Sequence, residues 1–258
     1  MSRFINLEFG GESEDQSLGS EQGLAKDEAY YLREAQAAFE NADFEKALRH
    51  YARVLEFNPQ NAAAWTAQVR MLIELGEYRE AKIWADKALE RFPQEPELLA
   101  AKAVTLCRGG DLQSAMAFSD AAIEERGDTP YIWLARGDVL LACKEPRADY
   151  CFEKALLLAP RNWFVAWLAA RIRAYYKQFV FALNLLQKAI EWNTGHFLLW
   201  LELGRCQESL GFLGPAESSF TQALQLNPNC HAADQALTRL LSRGLTDRVR
   251  GWWRRLGK

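Results

Sequence analysis

Histidine is scarce in this 258-residue chain: His50, His196 and His231 are the whole supply. The adjacent pair Cys230-His231 has no second Cys or His at ligand spacing, and neighbours on a helix point about 100° apart, so no metal site is expected. Cysteine is also sparse, with five scattered residues, odd in number, which reads as reduced thiols of a cytosolic protein. Cys107, Cys143, Cys151 and Cys206 fall in helical stretches, where cysteine serves as a small buried hydrophobe. No apolar run reaches the roughly 18 residues that a spanning helix needs. Asn6 and Glu8 interrupt the stretch where a secretion signal requires an unbroken apolar core, so no export signal is read. There is no excess of positive charge: Lys plus Arg is 31 against 34 for Asp plus Glu, a net charge of -3. That disfavours a general nucleic-acid binder. Phosphate-loop, dinucleotide, zinc-protease and Gly-x-Ser-x-Gly motifs are all missing, and the carboxylates form no acid–base pair. No enzyme activity and no cofactor are expected.

What is present is globular. Hydrophobic residues make up 49 % and charged residues 25 %, and the length is ample for a sizeable core. Charge is uneven along the chain. Residues 1–26 set Arg3 and Lys26 against Glu8, Glu12, Glu14, Asp15 and Glu21, and with their Gly and Ser they read as a disordered acidic head. Residues 245–258 set Arg248, Arg250, Arg254, Arg255 and Lys258 against Asp247. An acidic head and a basic tail thus flank a mildly acidic body, 27–244.

The body repeats itself. Ala47, Ala81 and Ala115 stand 34 residues apart, Ala148 comes one residue early, and Ala182 and Ala216 resume the step. Pro59 and Pro93 keep the same period, and Pro160 and Pro228 keep its phase. Six units follow: 28–61, 62–95, 96–129, 130–162, 163–196 and 197–230. Each holds two apolar stretches at helical spacing, broken near the middle by Gly, Asn or Lys. In the second unit Trp65, Val69, Leu72 and Leu75 form one stripe and Tyr78, Ala81, Ala85 and Ala88 the other, each on a single helix face. Gly76 and Gly110 suit the turn between helices, because glycine reaches positive φ cheaply. Asn58-Pro59 and Asn227-Pro228 end second helices.

These landmarks resemble the tetratricopeptide repeat. Tyr31, Leu99, Trp133 and Trp200 take the place of Trp65, and small residues follow at Ala35, Ala103, Gly137, Ala170 and Gly204. The resemblance spans residues 28–230. It departs locally at Lys144-Glu-Pro146, where unit four lacks a residue, at Arg173 in place of an apolar residue, and at Gly127 where other units have proline. The resemblance implies an all-α fold: a right-handed α-solenoid of six helix-turn-helix repeats. A C-terminal capping helix over 231–243 would cover its last apolar face, with Gly244 as its stop.

The resemblance also implies which side chains line the concave face, those of the first helix in each unit. Arg70, Arg171 and Arg205 hold the same inward place in three units, with Arg108 nearby in phase. Tyr131, Phe164, Trp167 and Tyr175 give aromatic side chains in units four and five, joined by Asp138 and Leu201. One reading is a groove for a partner segment with apolar anchors and acidic flanks, since arginine grips carboxylates bidentately and both residue types dominate interface energetics. The other is that the aromatics pack against neighbouring helices and the arginines are merely solvated. The Lys/Asn carboxylate clamp of some family members is absent: its positions hold Leu32, Gln36, Ala67, Glu97 and Ala101.

On a helical wheel Leu245, Val249, Trp252, Trp253 and Leu256 fall within about 100° of arc, with Arg248, Arg254 and Arg255 outside it. Such a segment suits an acidic partner, an anionic membrane surface or the protein itself. The apolar and acidic stretch Phe4–Phe9 is the kind of segment an arginine groove would accept. The expectation is a cytoplasmic scaffold or adaptor that binds a protein partner and no nucleic acid, within a multiprotein complex. The alternative is a scaffold held peripherally at a membrane by its tail.

Overall fold

One backbone position per repeat decides where each helical hairpin bends. Ala42, Gly76, Gly110, Lys144, Lys177 and Gly211 all take positive φ, between 56° and 96°. In the computed structural model, which describes residues 26–242, each follows the end of a first helix by two residues. The helices are α1 (Glu28–Glu40), α2 (Phe44–Phe57), α3 (Ala62–Glu74), α4 (Tyr78–Arg91), α5 (Pro96–Arg108), α6 (Leu112–Glu125), α7 (Pro130–Ala142), α8 (Ala148–Leu158), α9 (Trp163–Tyr175), α10 (Phe179–Trp192), α11 (Phe197–Ser209) and α12 (Leu213–Leu226). A further helix runs over 231–242, and no strand occurs among the described residues.

The turn chemistry is the same six times. The residue after the positive-φ position donates its backbone N–H to the carbonyl five residues earlier, as in Asp43 to Ala38 at 2.9 Å, Glu145 to Leu140 at 2.8 Å and Gln178 to Arg173 at 2.9 Å. Glycine supplies the conformation without strain at three turns. Ala42, Lys144 and Lys177 adopt it at a cost of about 1–2 kcal/mol each, held there by the helices on either side. In the first unit the left-handed residue is Ala42, one 34-residue step before Gly76. Asn41 ends α1, with its side-chain amide donating to the Ala37 carbonyl at 2.8 Å. The residue missing from the fourth unit falls between Lys144 and Ala148. There Pro146 keeps the chain out of the helix, and α8 has 11 residues against 14 in the other second helices.

Helix starts follow from capping. Asp27, Asp43, Asn61, Asp111 and Asn162 each accept a backbone N–H two or three residues on, and Pro96 and Pro130 open α5 and α7, where no N–H is needed. The early tryptophans lock the loops that precede them. Trp65, Trp133 and Trp200 donate their indole N–H to the carbonyls of Pro59, Gly127 and Thr194, each six residues earlier, at 3.0, 2.8 and 3.0 Å. Gly127, which stands where other units have proline, thus serves through its carbonyl. Within hairpins a small residue faces a large one. A methyl group at Gly137 would lie 2.8 Å from the Phe152 ring, and one at Gly204 would lie 2.5 Å from Phe220.

The packing divides the chain into two units at Leu158/Ala159. In the first, α3 packs on α5 and α5 on α7, α2, α4 and α6 each pack on the first helix of their own and the following repeat, α8 packs on α7, and no two second helices pack comparably. The first helices therefore line the inner side of this stack. Polar pairs tie its successive repeats together: buried Lys102 to Asp86, and Arg136 to Asp120. In the second unit α9 with α10 and α11 with α12 form the hairpins, and α10 packs on α11. Arg173, polar where an apolar residue is usual, is 4 % exposed; it donates to Gln178 at 2.5 Å and lies 4.9 Å over the Phe181 ring. The helix over 231–242 stands in the phase of a seventh first helix.

Candidate partner-binding faces of the first helices

In the first unit the arrangement centres on Arg70, ninth residue of α3. Its guanidinium carbon lies 3.8 Å from the centre of the Tyr131 ring and 5.1 Å from that of Phe39. Phe39 belongs to α1 and Tyr131 to α7, so Arg70 reaches past α5, which presents Ala100 and Val104 at the matching positions. The half-buried guanidinium makes no hydrogen bond or ion pair among the described residues; two rings hold it by cation–π attraction. The Tyr131 hydroxyl likewise has no hydrogen-bond partner among them. Burial pushes that phenol well above its ordinary pKa, Arg70 opposes the shift, and Glu97, Asp138 and Glu74 reinforce it.

Arg108 and Asp138 behave differently. They pair with each other, Nη2 to Oδ2 at 2.7 Å and Nε to Oδ2 at 3.1 Å, with side chains 7 % and 1 % exposed. Burial works against the charge on Arg108, but Asp138 and Glu74 outweigh it and keep the guanidinium protonated far above its usual range. Both were expected to contact a partner. Instead they form a buried strut between repeats three and four, since neither charge could be buried there alone.

In the second unit the arginines form a row. Glu202 of α11 accepts from Arg171 of α9 at 3.4 Å and from Arg205 of α11 at 2.9 Å. Glu208 accepts from Arg239 of the helix over 231–242 at 2.9 Å. Arg171 also lies 5.0 Å over the Trp167 ring, and Phe164 stacks on Trp167 at 5.3 Å. Arg205 and Arg239 remain about half exposed, at 46 % and 54 % of their side chains.

Of the remaining expected contacts, Phe164 is half-buried and Tyr175 exposed, stacked edge-on against Tyr176 at 5.0 Å. Trp167 and Leu201, at 0 % and 3 % exposure, are corrected to core residues: their apolar bulk is worth more between helices than at a wet surface. Arg248, Trp252, Trp253, Arg254 and Arg255, the acidic head up to residue 25 and Gly244 lie outside the described residues. The sequence reading missed Arg239, whose signal was there to find, one further 34-residue step beyond Arg205. It also missed Phe39 and the acceptors Glu202 and Glu208, which only the inter-helix geometry reveals. A second missed feature is an apolar edge where hairpins five and six turn, with Tyr175, Val180, Phe181, Phe212 and Leu213 all 45–57 % exposed.

Among the described residues no cluster of three potential metal ligands occurs, and no helix is long and apolar enough to cross a membrane. Burial raises the thiols of Cys143, Cys151 and Cys206, the opposite of a reactive cysteine.

Family models for the tetratricopeptide repeat match residues 38–104 and 198–230, inside the helical array just described. The chain carries tetratricopeptide repeats. No curated protein sequence matches it. Its tetratricopeptide architecture is similar to that of a tetratricopeptide repeat protein from Parabacteroides merdae, with TM-score 0.54 at 15 % identity over 86 % of this chain and 87 % of that one. It is also similar to a thermophilic protein of the family from Thermus thermophilus, with TM-score 0.51 at 17 % identity over 83 % and 98 %. Human IFIT1, solved as a dimer with m7Gppp-AAAA, gives TM-score 0.51 at 19 % identity over 83 % and 55 %. The chain thus spans about half of the IFIT1 chain, as it does of the chain matched in the Cut9-Hcn1 assembly, at 51 %. At these identities the likeness concerns the fold. Arrays of this repeat are protein-interaction scaffolds, and the first-helix faces are where this one offers charge and aromatic surface.

Proposed function

We propose that the protein is a non-catalytic scaffold that captures a segment of a partner protein along its first-helix faces, as part of a multiprotein complex. The observation that carries this is the arginine row: position nine of three successive first helices holds Arg171, Arg205 and Arg239, and the latter two keep half their surface in solvent. Arg171 and Arg205 share the carboxylate of Glu202, so the row favours acidic residues on the partner. Phe164 and Tyr175 supply aromatic contact beside it. The experiment is a quantitative pull-down with mass spectrometry, comparing the intact chain with an Arg205→Glu, Arg239→Glu variant of unchanged helical spectrum. Loss of a partner by at least about tenfold is expected, as reversing exposed charges at an interface costs on the order of 1–3 kcal/mol. An unchanged partner set removes the row from the binding surface.

A second reading is favoured by the exposed apolar edge at Tyr175, Val180, Phe181, Phe212 and Leu213. Aromatic and aliphatic side chains there, with the basic Trp252-Trp253 segment, would hold the scaffold peripherally on anionic lipid. Flotation with phosphatidylserine vesicles tests it: Phe181→Ser with Phe212→Ser would release the protein from vesicles, and no flotation of the intact chain would end this reading.

A further inference from the structure

We infer that Arg70 and Tyr131 form a second, separate recognition point in the first unit, a receptor for one carboxylate side chain of an acidic peptide segment. The guanidinium is pre-oriented by two rings, 3.8 Å over Tyr131 and 5.1 Å from Phe39, rather than by a carboxylate. A cation held by ring faces keeps the N–H groups along its edge free for an acceptor. No residue described in the structure supplies that acceptor, although the guanidinium is half-buried and has given up part of its hydration. The phenol of Tyr131 adds a hydroxyl donor without a partner, and its raised pKa keeps its proton in place at any physiological pH. A fork of N–H donors beside one O–H matches the two oxygens of a carboxylate.

The surroundings choose between anions. Glu97, Asp138 and Glu74 all press on the Tyr131 phenol electrostatically, and Asp138 is already committed to Arg108. A doubly charged phosphate would meet this negative field at twice the cost of a singly charged carboxylate. The receptor therefore takes an Asp or Glu side chain in preference to a phosphorylated residue. The short side chains of Ala100 and Val104, lying under the arginine's path, leave apolar contact for the aliphatic stem. The identity of the polymer rests on the scaffold reading above; the carboxylate preference of the site does not.

The test is a titration of the full chain, labelled with 15N at arginine, read at the side-chain Nε–Hε resonances. The ring at 3.8 Å displaces the Arg70 signal from those of the exposed arginines Arg33 and Arg79, so it is separately observable. Sodium acetate is the first probe and inorganic phosphate the second. Arg70 is expected to shift saturably with acetate at concentrations where Arg33 and Arg79 move only linearly, and phosphate at equal concentration is expected to bind several-fold more weakly. Tyr131→Phe keeps the ring and removes the hydroxyl, weakening acetate about tenfold; Arg70→Lys removes the fork and abolishes saturation. An Arg70 response no different from that of Arg33, or phosphate binding as tightly as acetate, overturns the inference. A positive titration beside a failed pull-down would leave the carboxylate receptor standing and the scaffold reading refuted.

Discussion

Arg108 at the end of α5 places its guanidinium 2.7 Å from the carboxylate of Asp138 in the middle of α7, and both side chains are almost wholly buried. The two charges come from neighbouring repeats, and each is tolerable only because the other is there. Removing one partner leaves an uncompensated buried charge. Asp138→Ala is expected to cost about 3–5 kcal/mol of stability, whereas Arg108→Met with Asp138→Leu restores most of it. Urea denaturation of the single and double variants, followed by circular dichroism, checks this. Equal losses in both would assign the cost to packing rather than charge.

Gly204 faces the Phe220 ring within the sixth hairpin. A Cβ at Gly204 would stand 2.5 Å from the Phe220 ring. Gly204→Ala is expected to destabilise by about 1–3 kcal/mol through overpacking, and Phe220→Leu in the same chain to recover part of it. Thermal melts of the parent chain, Gly204→Ala, Phe220→Leu and the double variant supply the double-mutant cycle. Additive losses would show that the ring and the glycine are not coupled.

The buried thiols set an alkaline limit. Burial pushes Cys151 up to about 11 and Cys206 up to about 12, with Glu202 adding to the latter. Once unfolded, each ionises near its ordinary value of about 8.5. Above that pH the unfolded chain gives up protons that the folded chain retains, so stability is full below about pH 8.5 and drains as pH rises toward the folded values. Cys206→Ala should flatten stability between about pH 9 and 11. At pH 7.5, iodoacetamide with mass-spectrometric mapping should label Cys143, which is only half-buried, before Cys151 or Cys206. Early labelling of Cys206 would contradict its burial.

The fold was legible because a repeat states its period many times over. Alanines at a 34-residue step, prolines at the inter-repeat loops and glycines at two turns mark where each helix begins and stops, and α1, α3, α5, α7, α9 and α11 start at the first residue of the units read from the sequence. Ala42 shows the limit of local signals: nothing in its side chain favours left-handed geometry, and the helices on both sides impose it. The site was legible only in outline. The ninth-position arginines could be counted, and Arg239 would have joined them had the count run one unit further.

The sequence by itself determined the all-α class, the repeat period, the hairpin boundaries and the row from which arginines would project, because these depend on contacts within some forty residues. Tertiary structure alone decided which charges are spent. Arg108 meets Asp138 30 residues away, Arg171 meets Glu202 31 residues away, and Arg70 rests on a ring two repeats further along. Arginines projecting from the first helices therefore end as a buried strut, a shared ion pair and, among the described residues, a cation held only by rings. The difference lies in what the adjacent helix presents across the gap, which no single repeat encodes.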